Sequence, residues 1–453
     1  MSLSPFPPSR RAFLRNSAAA FGFQFVPAHV VRAQGSSRAP SEKLRTAVIG
    51  CGGRGAVDLQ GVSGEDIVAL CDVDERRAAK SFAEHPKARR FKDFRQMFDK
   101  MGNEIDAVVV ATPDHTHEVA VLAAIGHGKH VYCEKPLAHT IKEVRRMRKA
   151  ALESKVITQV GNQGHSSHTI RLFVEMVQAG AIGNITEIHA GCDLFPEIYC
   201  RVGQPASPPT AVPEELDWDL WLGPLKQRAY EPAAVPRNWR GFSAYGNGCI
   251  ADWVCHIVDP SYWALDLGAP AAITAEVSGY DPAKDAAYYP RGSRITFEFA
   301  GKGKRGPVKL VWHDGEAKIP APPELEEDKR KVVGTGAVII GDKGKIMHGS
   351  HGAGSVRIIP ESKMKGFTMP PETIPRVAKG DHHQDWLDAI RANRPAGSPF
   401  EYGGALSEIG LLGMIAIRHA GQRLEWDSDA VAFKNAPSAN ALLDKEYRPG
   451  WGV

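Results

Sequence analysis

The sequence predicts an α/β protein of two domains, in which a parallel sheet is followed by an α/β domain with an open, mainly antiparallel sheet. Its 453 residues exceed the roughly 250 to 300 at which a single hydrophobic core stops growing. From residue 44 to about residue 160, apolar runs alternate with amphipathic helical stretches, a pattern typical of parallel βαβ units. From residue 273 to 348, period-two strands follow one another with few helices between them, which favours antiparallel pairing.

The first 33 residues resemble an export signal rather than a part of the fold. Arg10 and Arg11 precede a mildly apolar run that ends in small residues. This pattern predicts a twin-arginine signal, cleaved after Ala33, that carries the folded protein to the periplasm; a disordered basic tail is the alternative. The run is too short and too polar to span a bilayer, so no membrane insertion is expected after cleavage. Residues 34–43 are predicted to be a linker.

Charge and cysteine content exclude several classes of function. The formal net charge of +4 is accounted for by the four arginines of the predicted signal, which contains no acidic residue. A neutral mature protein has no long-range attraction for phosphate backbones, so no nucleic-acid partner is expected. The seven cysteines follow no metal-type spacing and predict no disulfide framework, although a bridge between Cys192 and Cys200 stays open.

The first predicted domain, residues 44–160, contains five strand-like runs. They occupy residues 44–50, 67–72, 105–112, 130–134 and 156–160. Four of them are nearly continuous Val, Ile, Leu or Ala, as expected of strands buried on both faces.

A glycine motif follows the first of these strands. Gly50, Gly52 and Gly55 form a G-x-G-x-x-G pattern, which serves a tight turn, close approach of a pyrophosphate and helix packing. Gly53 and Arg54 complete the loop, where the backbone N–H groups and the dipole of the next helix would hold phosphates. The motif in this setting predicts a dinucleotide-binding Rossmann domain.

Asp72 closes the second predicted strand, 20 residues after Gly52. From that position a carboxylate accepts the ribose hydroxyls of adenosine, which favours NAD. Arg76 and Arg77 lie close by and leave NADP open. The structural alternative is that Asp72 only caps its strand.

Two polar patches follow later strands, at the carboxyl edge where open α/β sheets bind ligands. Their predicted cofactor contacts are Thr112, Pro113, Asp114, His117, Glu134 and Lys135. Because Lys135 follows a buried strand into this edge, it is predicted to be a cation near the nicotinamide rather than a solvated surface lysine.

The second predicted domain, residues 161–453, begins with a helix at 168–179 and Pro- and Trp-rich loops at 195–246. Period-two strands follow at residues 273–279, 294–299, 308–312, 337–341 and 345–348. Helices are then predicted at residues 381–391 and 405–420.

Four motifs occur in order along the chain: the glycine loop, Thr112-Pro113-x-x-x-His117, Glu134-Lys135-Pro136 and a distant Asp252-Trp253-Val254-Cys255-His256. Taken together, they resemble the motifs of the Gfo/Idh/MocA family, named for glucose-fructose oxidoreductase and inositol dehydrogenase relatives. The resemblance covers nearly all of the predicted mature chain. It implies a Rossmann domain followed by an α/β domain whose open sheet often supports oligomer contacts, so a homo-oligomer is expected.

The resemblance also implies roles for individual residues. Lys135 would touch substrate and nicotinamide, and His256 would remove the hydroxyl proton as hydride leaves for NAD, with Asp252 beside it. Gln163 would face the nicotinamide end, as this stretch does in relatives.

Elementary chemistry agrees with a histidine base, because alcohol oxidation needs a group whose pKa lies near the working pH. Asp252 and His256 are four residues apart, so on a helix they share a face and the carboxylate can orient the imidazole. A surface pair that merely supports a helix is the alternative. Pro260 should kink or end the helix just beyond His256.

Further candidates carry weaker signals. His165, Arg240, Tyr245 and Trp253 are predicted substrate contacts, and the His382-His383 pair is a plausible pocket element, with structural roles equally open for each. Two histidine pairs could be metal ligands, but neither has a convincing third ligand: His115 with His117, and His165 with His168. Hydride chemistry with a nicotinamide needs no metal, so none is predicted.

These features predict an NAD(P)-dependent oxidoreductase that transfers hydride from a secondary hydroxyl of a sugar, a cyclitol or a derivative. A periplasm has no dependable free NAD pool, so export favours a tightly bound cofactor that is recycled in place. An NAD-dependent glycosidase or an epimerase acting through transient oxidation is the first alternative; the resemblance weighs against the glycosidase, whose group departs from the Glu-Lys-Pro pattern. A non-catalytic sugar or nucleotide sensor is the second, against which Lys135, Asp252 and His256 argue.

Overall fold

The structure is a computed structural model that describes residues 42–205, 207–325 and 330–452. The predicted signal at residues 1–33 lies outside the described residues, so its assignment stays a prediction. The described part of the chain folds into two sheets with helices packed against them.

Strands and helices alternate through the N-terminal domain. They are β1 (Arg45–Ile49), α1 (Arg54–Gly61), β2 (Asp66–Cys71), α2 (Glu75–Glu84), β3 (Arg89–Phe91), α3 (Phe94–Met101), β4 (Ala107–Val110), α4 (His117–Gly126), β5 (His130–Cys133), α5 (Ile141–Ser154) and β6 (Thr158–Val160). Asp74 and Asp93 cap α2 and α3, and Thr140 with Glu143 forms a capping box at α5.

The sheet of this domain is parallel throughout, in the order β3-β2-β1-β4-β5-β6. The strand order reverses between β1 and β4, and such a reversal leaves a crevice at the carboxyl ends of the strands. The predicted Rossmann domain is therefore confirmed. The short edge strand β3 was not predicted, because its residues Arg89 and Arg90 are exposed and carry no apolar run.

The second domain contains a larger sheet and its supporting helices. Its elements are α6 (His168–Gln178), β7 (Ile185–Cys192), α7 (Pro196–Tyr199), α8 (Trp218–Leu222), α9 (Gly248–Ile257), α10 (Asp259–Leu265), β8 (Ala272–Ser278), β9 (Gly292–Phe299), β10 (Val308–Gly315), β11 (Gly336–Gly341), β12 (Gly344–Gly349), β13 (Arg357–Ile359), α11 (Glu361–Gly366), α12 (His382–Ala392), α13 (Phe400–Arg418), β14 (Leu424–Asp427), β15 (Ala432–Phe433) and α14 (Pro437–Asn440).

This second sheet runs in the order β13-β12-β11-β7-β10-β9-β8-β14-β15. The pair β7 and β10 is parallel and the other pairs are antiparallel, which confirms the predicted architecture. Strand β7 lies near the middle of the sheet but was not predicted, since His189, Ala190 and Gly191 interrupt its apolar alternation. The break expected near Pro260 falls at Val258, between α9 and α10.

Helix α13 is the structural centre of the second domain. By length and composition alone it could cross a membrane, but 83% of its most apolar window is buried inside the protein. It packs against α9, α5 and β8. At Gly410 an added Cβ would lie 2.7 Å from the Cα of Ala251, so α13 meets α9 backbone to backbone, one residue before Asp252.

All seven cysteines are free thiols. The bridge between Cys192 and Cys200 that the sequence leaves open is not formed in this structure.

Replacing Gly410 with alanine should destabilise the protein. Alanine favours helices over glycine by about 1 kcal/mol, but its Cβ would displace α9 from α13. We expect the free energy of unfolding to fall by about 1–3 kcal/mol, as for other overpacked cores. Urea denaturation followed by circular dichroism measures this change.

Gly366→Ala is the matched control, because Gly366 also lies in a helix and nothing lies within 4 Å of an added Cβ there. It should leave stability unchanged or slightly raised. A Gly410→Ala protein as stable as the control would contradict the proposed close contact.

Candidate active site

A cavity of about 560 Å³ opens at the carboxyl edge of the parallel sheet and extends to α9 in the second domain. The predicted site residues that border it are Gly50, Gly52, Gly53, Arg54, Asp72, Thr112, Pro113, Asp114, Glu134, Lys135, Gln163, Arg240, Asp252, Trp253 and His256. Predicted cofactor contacts and predicted catalytic residues thus share one cavity.

The glycine loop forms the floor of this cavity where β1 ends. Gly50 has a φ of 79°, and an added Cβ there would lie 2.8 Å from the carbonyl oxygen of Ala111. Gly55 does not border the cavity; its Cβ would lie 1.7 Å from the oxygen of Gly50, so its role is to let α1 pack on the turn. No side chain caps α1; the N–H of Gly55 donates to the oxygen of Gly52 at 3.1 Å, and the positive end of the helix dipole faces this turn.

Asp72 lies at the end of β2 and holds this loop. Its Oδ2 accepts hydrogen bonds from the N–H groups of Cys51 at 2.9 Å and Gly52 at 3.1 Å. Burial raises the pKa of the carboxyl, although these N–H groups oppose the rise. Asp72 borders the cavity and fits both the predicted ribose contact and the alternative role as a cap. Arg76 is paired with Asp74 at 2.8 Å.

The second domain meets the sheet edge through an ion pair between Lys135 and Asp252. Lys135 Nζ lies 2.6 Å from Asp252 Oδ1 and donates to the Asp252 carbonyl oxygen at 2.9 Å. The Tyr199 hydroxyl also bonds this carboxylate, and Arg240 Nε lies 3.3 Å from it. Burial alone would raise the pKa of Asp252, but Lys135 and Arg240 hold it well below its usual value. The carboxylate is therefore ionised.

This arrangement differs from the expectation that Asp252 would orient His256. Both residues lie on the same helix, α9, but within the described residues no hydrogen bond joins them, because Lys135 and its neighbours occupy the carboxylate. The helical spacing correctly predicted that the two residues lie close together, and the charge of Asp252 acts on the ring by raising its pKa against the larger lowering effects. The hydrogen-bonded contact that would orient the ring is not formed among the described residues.

His256 borders the cavity with only 5% of its surface exposed. Its ring stacks on His351 with centroids 4.1 Å apart and meets the edge of Trp253. Nδ1 is buried without a hydrogen-bond partner among the described residues. Burial, followed by the charges of Lys135 and His351, lowers the pKa of His256 well below its ordinary value. The ring is therefore neutral near pH 7 and can accept a proton.

His351 and Tyr199 border the same cavity and were missed in the sequence. His351 lies in the turn after β12 with a left-handed φ of 55°, and its N–H donates to the oxygen of His256 at 2.8 Å. A histidine among glycines at residues 349–354 is the signal that could have drawn attention to it. Tyr199, on the short helix α7, carries no comparable signal.

Two further carboxyl groups, those of Glu134 and Asp114, border the cavity. Glu134 Oε1 accepts from Arg54 Nε at 3.1 Å and from Gln163 Nε2 at 2.6 Å. Burial and the charge of Asp58 raise the pKa of Glu134 to about 7. Burial and the charge of Asp252 likewise raise the pKa of Asp114 to about 7.

His117 and Tyr245 do not reach the cavity. The two ring nitrogens of His117 lie 3.0 Å from the oxygen of Pro136 and 2.8 Å from the oxygen of Thr112. His117 therefore ties the two polar patches together instead of contacting a cofactor directly. Tyr245 packs its ring against Trp221, with centroids 4.8 Å apart, in a separate aromatic cluster.

His165 faces a second cavity, of about 800 Å³. Its Nδ1 lies 3.0 Å from the buried Asp259 carboxylate, and its ring stacks on Trp263. His382 and His383 also serve the framework, through contacts with the Val160 oxygen and the Asp58 carboxylate. Among the described residues, no group of three or more His, Cys, Asp or Glu could hold a metal ion.

Comparison with known proteins gives matches to two family models. One, described as an oxidoreductase family with an NAD-binding Rossmann fold, matches residues 44–162. The other, described as the C-terminal alpha/beta domain of an oxidoreductase family, matches residues 167–453. The N-terminal domain is thus an NAD-binding domain.

Curated relatives include inositol 2-dehydrogenase 2 of Saccharopolyspora erythraea, 36% identical over 152 residues, which are 32% of this chain and 44% of that protein. The inositol 2-dehydrogenase of Rubrobacter xylanophilus is 35% identical over 152 residues, 32% of this chain and 43% of that protein. The chain therefore spans less than half the length of these two relatives.

Solved structures share the whole fold at low sequence identity. The WlbA dehydrogenase from Bordetella pertussis, solved with NADH and UDP-GlcNAcA, has a TM-score of 0.59 at 18% identity and covers 85% of this chain and 99% of its own. Levoglucosan dehydrogenase, solved with NADH, has a TM-score of 0.55 at 17% identity and covers 84% of this chain and 99% of its own.

The imidazole of His256 should remain neutral well below pH 6.5, because its pKa in the folded protein lies under the ordinary value. Histidine-labelled protein followed by nitrogen-15 NMR measures this pKa, with His256→Gln identifying the signal. His351→Ala removes the stacked ring and admits water, so the pKa of His256 should rise toward its ordinary value. A wild-type titration near pH 6.5 that His351→Ala leaves in place would contradict both statements.

Proposed function

Because the chain belongs to the Gfo/Idh/MocA family of NAD-binding oxidoreductases, we propose that it is an NAD-dependent enzyme that oxidises a secondary hydroxyl of a sugar, a cyclitol or a derivative. One observation carries the proposal. The glycine loop, the Lys135–Asp252 ion pair and the neutral ring of His256 border the same cavity.

The glycine loop fits a dinucleotide, since Cβ atoms at Gly50 and Gly52 would collide with backbone and the N–H groups of α1 lack a side-chain cap. Gly50, Gly52 and Asp72 would hold the pyrophosphate and the ribose. NAD, when bound, supplies the acceptor for the hydride.

Lys135 is suited to bind the reacting hydroxyl. Its ammonium group has three N–H donors, of which two are directed at the Oδ1 and carbonyl oxygen of Asp252. Among the described residues no further group accepts from this nitrogen, so the third N–H can donate to a substrate oxygen. The cation then stabilises the negative charge that develops as the O–H bond breaks.

His256 accepts the hydroxyl proton. A base must be unprotonated before it acts, and the low pKa of this buried ring keeps it so at neutral pH. As the proton passes to His256, the C–H electron pair leaves with the hydride and the carbon–oxygen double bond forms. Protonation of His256 should therefore slow oxidation as the pH falls through its lowered pKa.

His256→Ala should lower kcat by about a hundredfold to ten-thousandfold, the range typical of a lost general base. NAD binding should be retained, because the glycine loop and Asp72 that would hold the dinucleotide are unchanged in this variant. Steady-state kinetics and calorimetric titration with NAD separate the two effects. His127→Ala is the control, since this exposed histidine lies outside the cavity. A fully active His256→Ala enzyme would remove this residue from the mechanism.

We further propose that the protein is exported through its twin-arginine sequence with the cofactor already bound and recycled in place. The arginine pair at residues 10–11 and the apolar run behind it support this proposal. We also propose that the protein forms a homo-oligomer through the open face of the larger sheet. In β9, Ile295 and Phe297 are buried toward the core while Arg294 and Glu298 are more exposed, so one face of this strand remains accessible to a second subunit.

Purified protein should carry NAD or NADH, detected by its absorbance and mass spectrum. Adding sugars or cyclitols without external cofactor should then change the NADH absorbance band. Release of aglycone from aryl glycosides under the same conditions would favour the glycosidase alternative. Protein that emerges empty and binds NAD weakly would contradict cofactor recycling and leave the dehydrogenase proposal standing.

A further inference from the structure

The cavity contains an arginine that no acidic residue neutralises. Arg237 borders it, and its guanidinium carbon lies 4.5 Å from the centroid of the Phe195 ring. Within residues 42–205, 207–325 and 330–452, no carboxylate forms an ion pair with Arg237. Arg240, three residues later, lies 3.3 Å from the Asp252 carboxylate.

Arg237 belongs to the half of the cavity that holds the proposed reacting groups. Arg240 connects the two, because its Nη1 donates to the oxygen of Arg237 while its Nε approaches Asp252. Phe195 immediately precedes α7, the helix whose Tyr199 hydroxyl bonds the same carboxylate. Arg237 is therefore held by the framework that holds the Lys135–Asp252 ion pair.

Positive charge exceeds negative charge in this half of the cavity. Lys135, Arg240 and Arg237 are cations, and the ionised Asp252 carboxylate pairs with the first two of them. Asp114 also borders the cavity, but its raised pKa of about 7 leaves it only partly ionised at neutral pH.

The other carboxylates that border the cavity are already engaged. Asp72 accepts from N–H groups of the glycine loop, and Asp74 is paired with Arg76. Glu134 lies 3.1 Å from Arg54, which in turn lies 2.7 Å from Asp58. These groups form a separate cluster beside the glycine loop, so Glu134 does not neutralise Arg237.

The position of Arg237 suits recognition of an oxyanion. A guanidinium stacked on an aromatic ring keeps the N–H groups at its edge free, and their planar fork matches a carboxylate or a phosphate. Arg237 is exposed where it borders the cavity, so its N–H groups are accessible to an incoming oxyanion.

We propose that the substrate is an acidic sugar derivative whose carboxylate or phosphate group binds Arg237 while its reacting hydroxyl lies between Lys135 and His256. The inference rests on the proposed function in one respect: Lys135 and His256 define the end of the cavity where oxidation occurs. That Arg237 borders the same cavity without a carboxylate partner among the described residues is an independent observation.

Binding without turnover tests the anion site. Holoprotein reduced to the NADH form is titrated with matched probes, glucuronate against glucose, galacturonate against galactose, and glucose 6-phosphate against glucose, by calorimetry and tryptophan fluorescence. We expect an acidic probe to bind about tenfold more tightly than its neutral counterpart, with the difference falling as salt is added. The uronates and the sugar phosphate distinguish the two oxyanions.

Three variants assign the effect to Arg237. Arg237→Gln should remove the preference, a loss of about tenfold, and Arg237→Lys should keep part of it because the charge remains without the fork. Arg89→Gln is the matched control: Arg89 is also exposed, with its guanidinium 5.5 Å from the Phe91 ring, but it lies outside the cavity. This control should bind all probes as wild type does.

The proposal fails if acidic and neutral probes bind equally, if no acidic probe binds, or if the acidic preference survives Arg237→Gln. Hydride transfer to NAD is measured separately on the same probes. Arg237-dependent binding without hydride transfer would overturn the proposed function and keep the anion site. Turnover of neutral sugars that Arg237→Gln leaves unchanged would overturn the anion site and keep the proposed function.

Discussion

The ion pair between Lys135 and Asp252 is the contact on which the site depends. It joins the carboxyl edge of the parallel sheet to α9 of the second domain, with 12% and 11% of the two side chains exposed. Removing two charges from water is costly unless further hydrogen bonds satisfy them. Tyr199 and Arg240 supply those bonds. One carboxylate on α9 thus organises groups from the loop after β5, from α7 and from the loop before α9.

The same pair also acts on His256. Burial is the main cause of its lowered pKa, the cation Lys135 lowers the pKa further, and the Asp252 carboxylate opposes these effects only in part. His351 closes the other face of the ring. The base is thereby kept dry and unprotonated by neighbours that do not themselves need to react.

The fold was largely predictable because its signals are local. Glycine spacing, buried apolar runs and the carboxylate at Asp72 predict the first domain, and period-two strands predict the second sheet. Strands β3 and β7 were not predicted, because their formation depends on pairing with neighbouring strands and they show no regular apolar alternation. The cavity residues Lys135, Asp252 and His256 were also predictable, because motifs mark them. Contacts of His351, Tyr199 and Arg237 depend on residues far away in the sequence, which no spacing rule reveals.

The hydrogen-bond partners of individual side chains were the hardest feature to predict from the sequence. Helical periodicity correctly placed Asp252 and His256 on one helix, but it does not decide which of several competing donors a carboxylate takes. His117 and His165 show the same limit. Each looked like a ligand contact, and each instead forms hydrogen bonds to buried framework groups.

The glycine contact between α13 and α9 has an evolutionary consequence. At Gly410 the two helices touch through their backbones, so the position of α9 is set by main-chain geometry and cannot drift without unpacking the core. The reacting groups on α9 are therefore held in a constant position. Changes in the accepted substrate are then expected in the long connection at residues 195–246, at positions such as Phe195 and Arg237 that border the cavity but do not bond the Asp252 carboxylate.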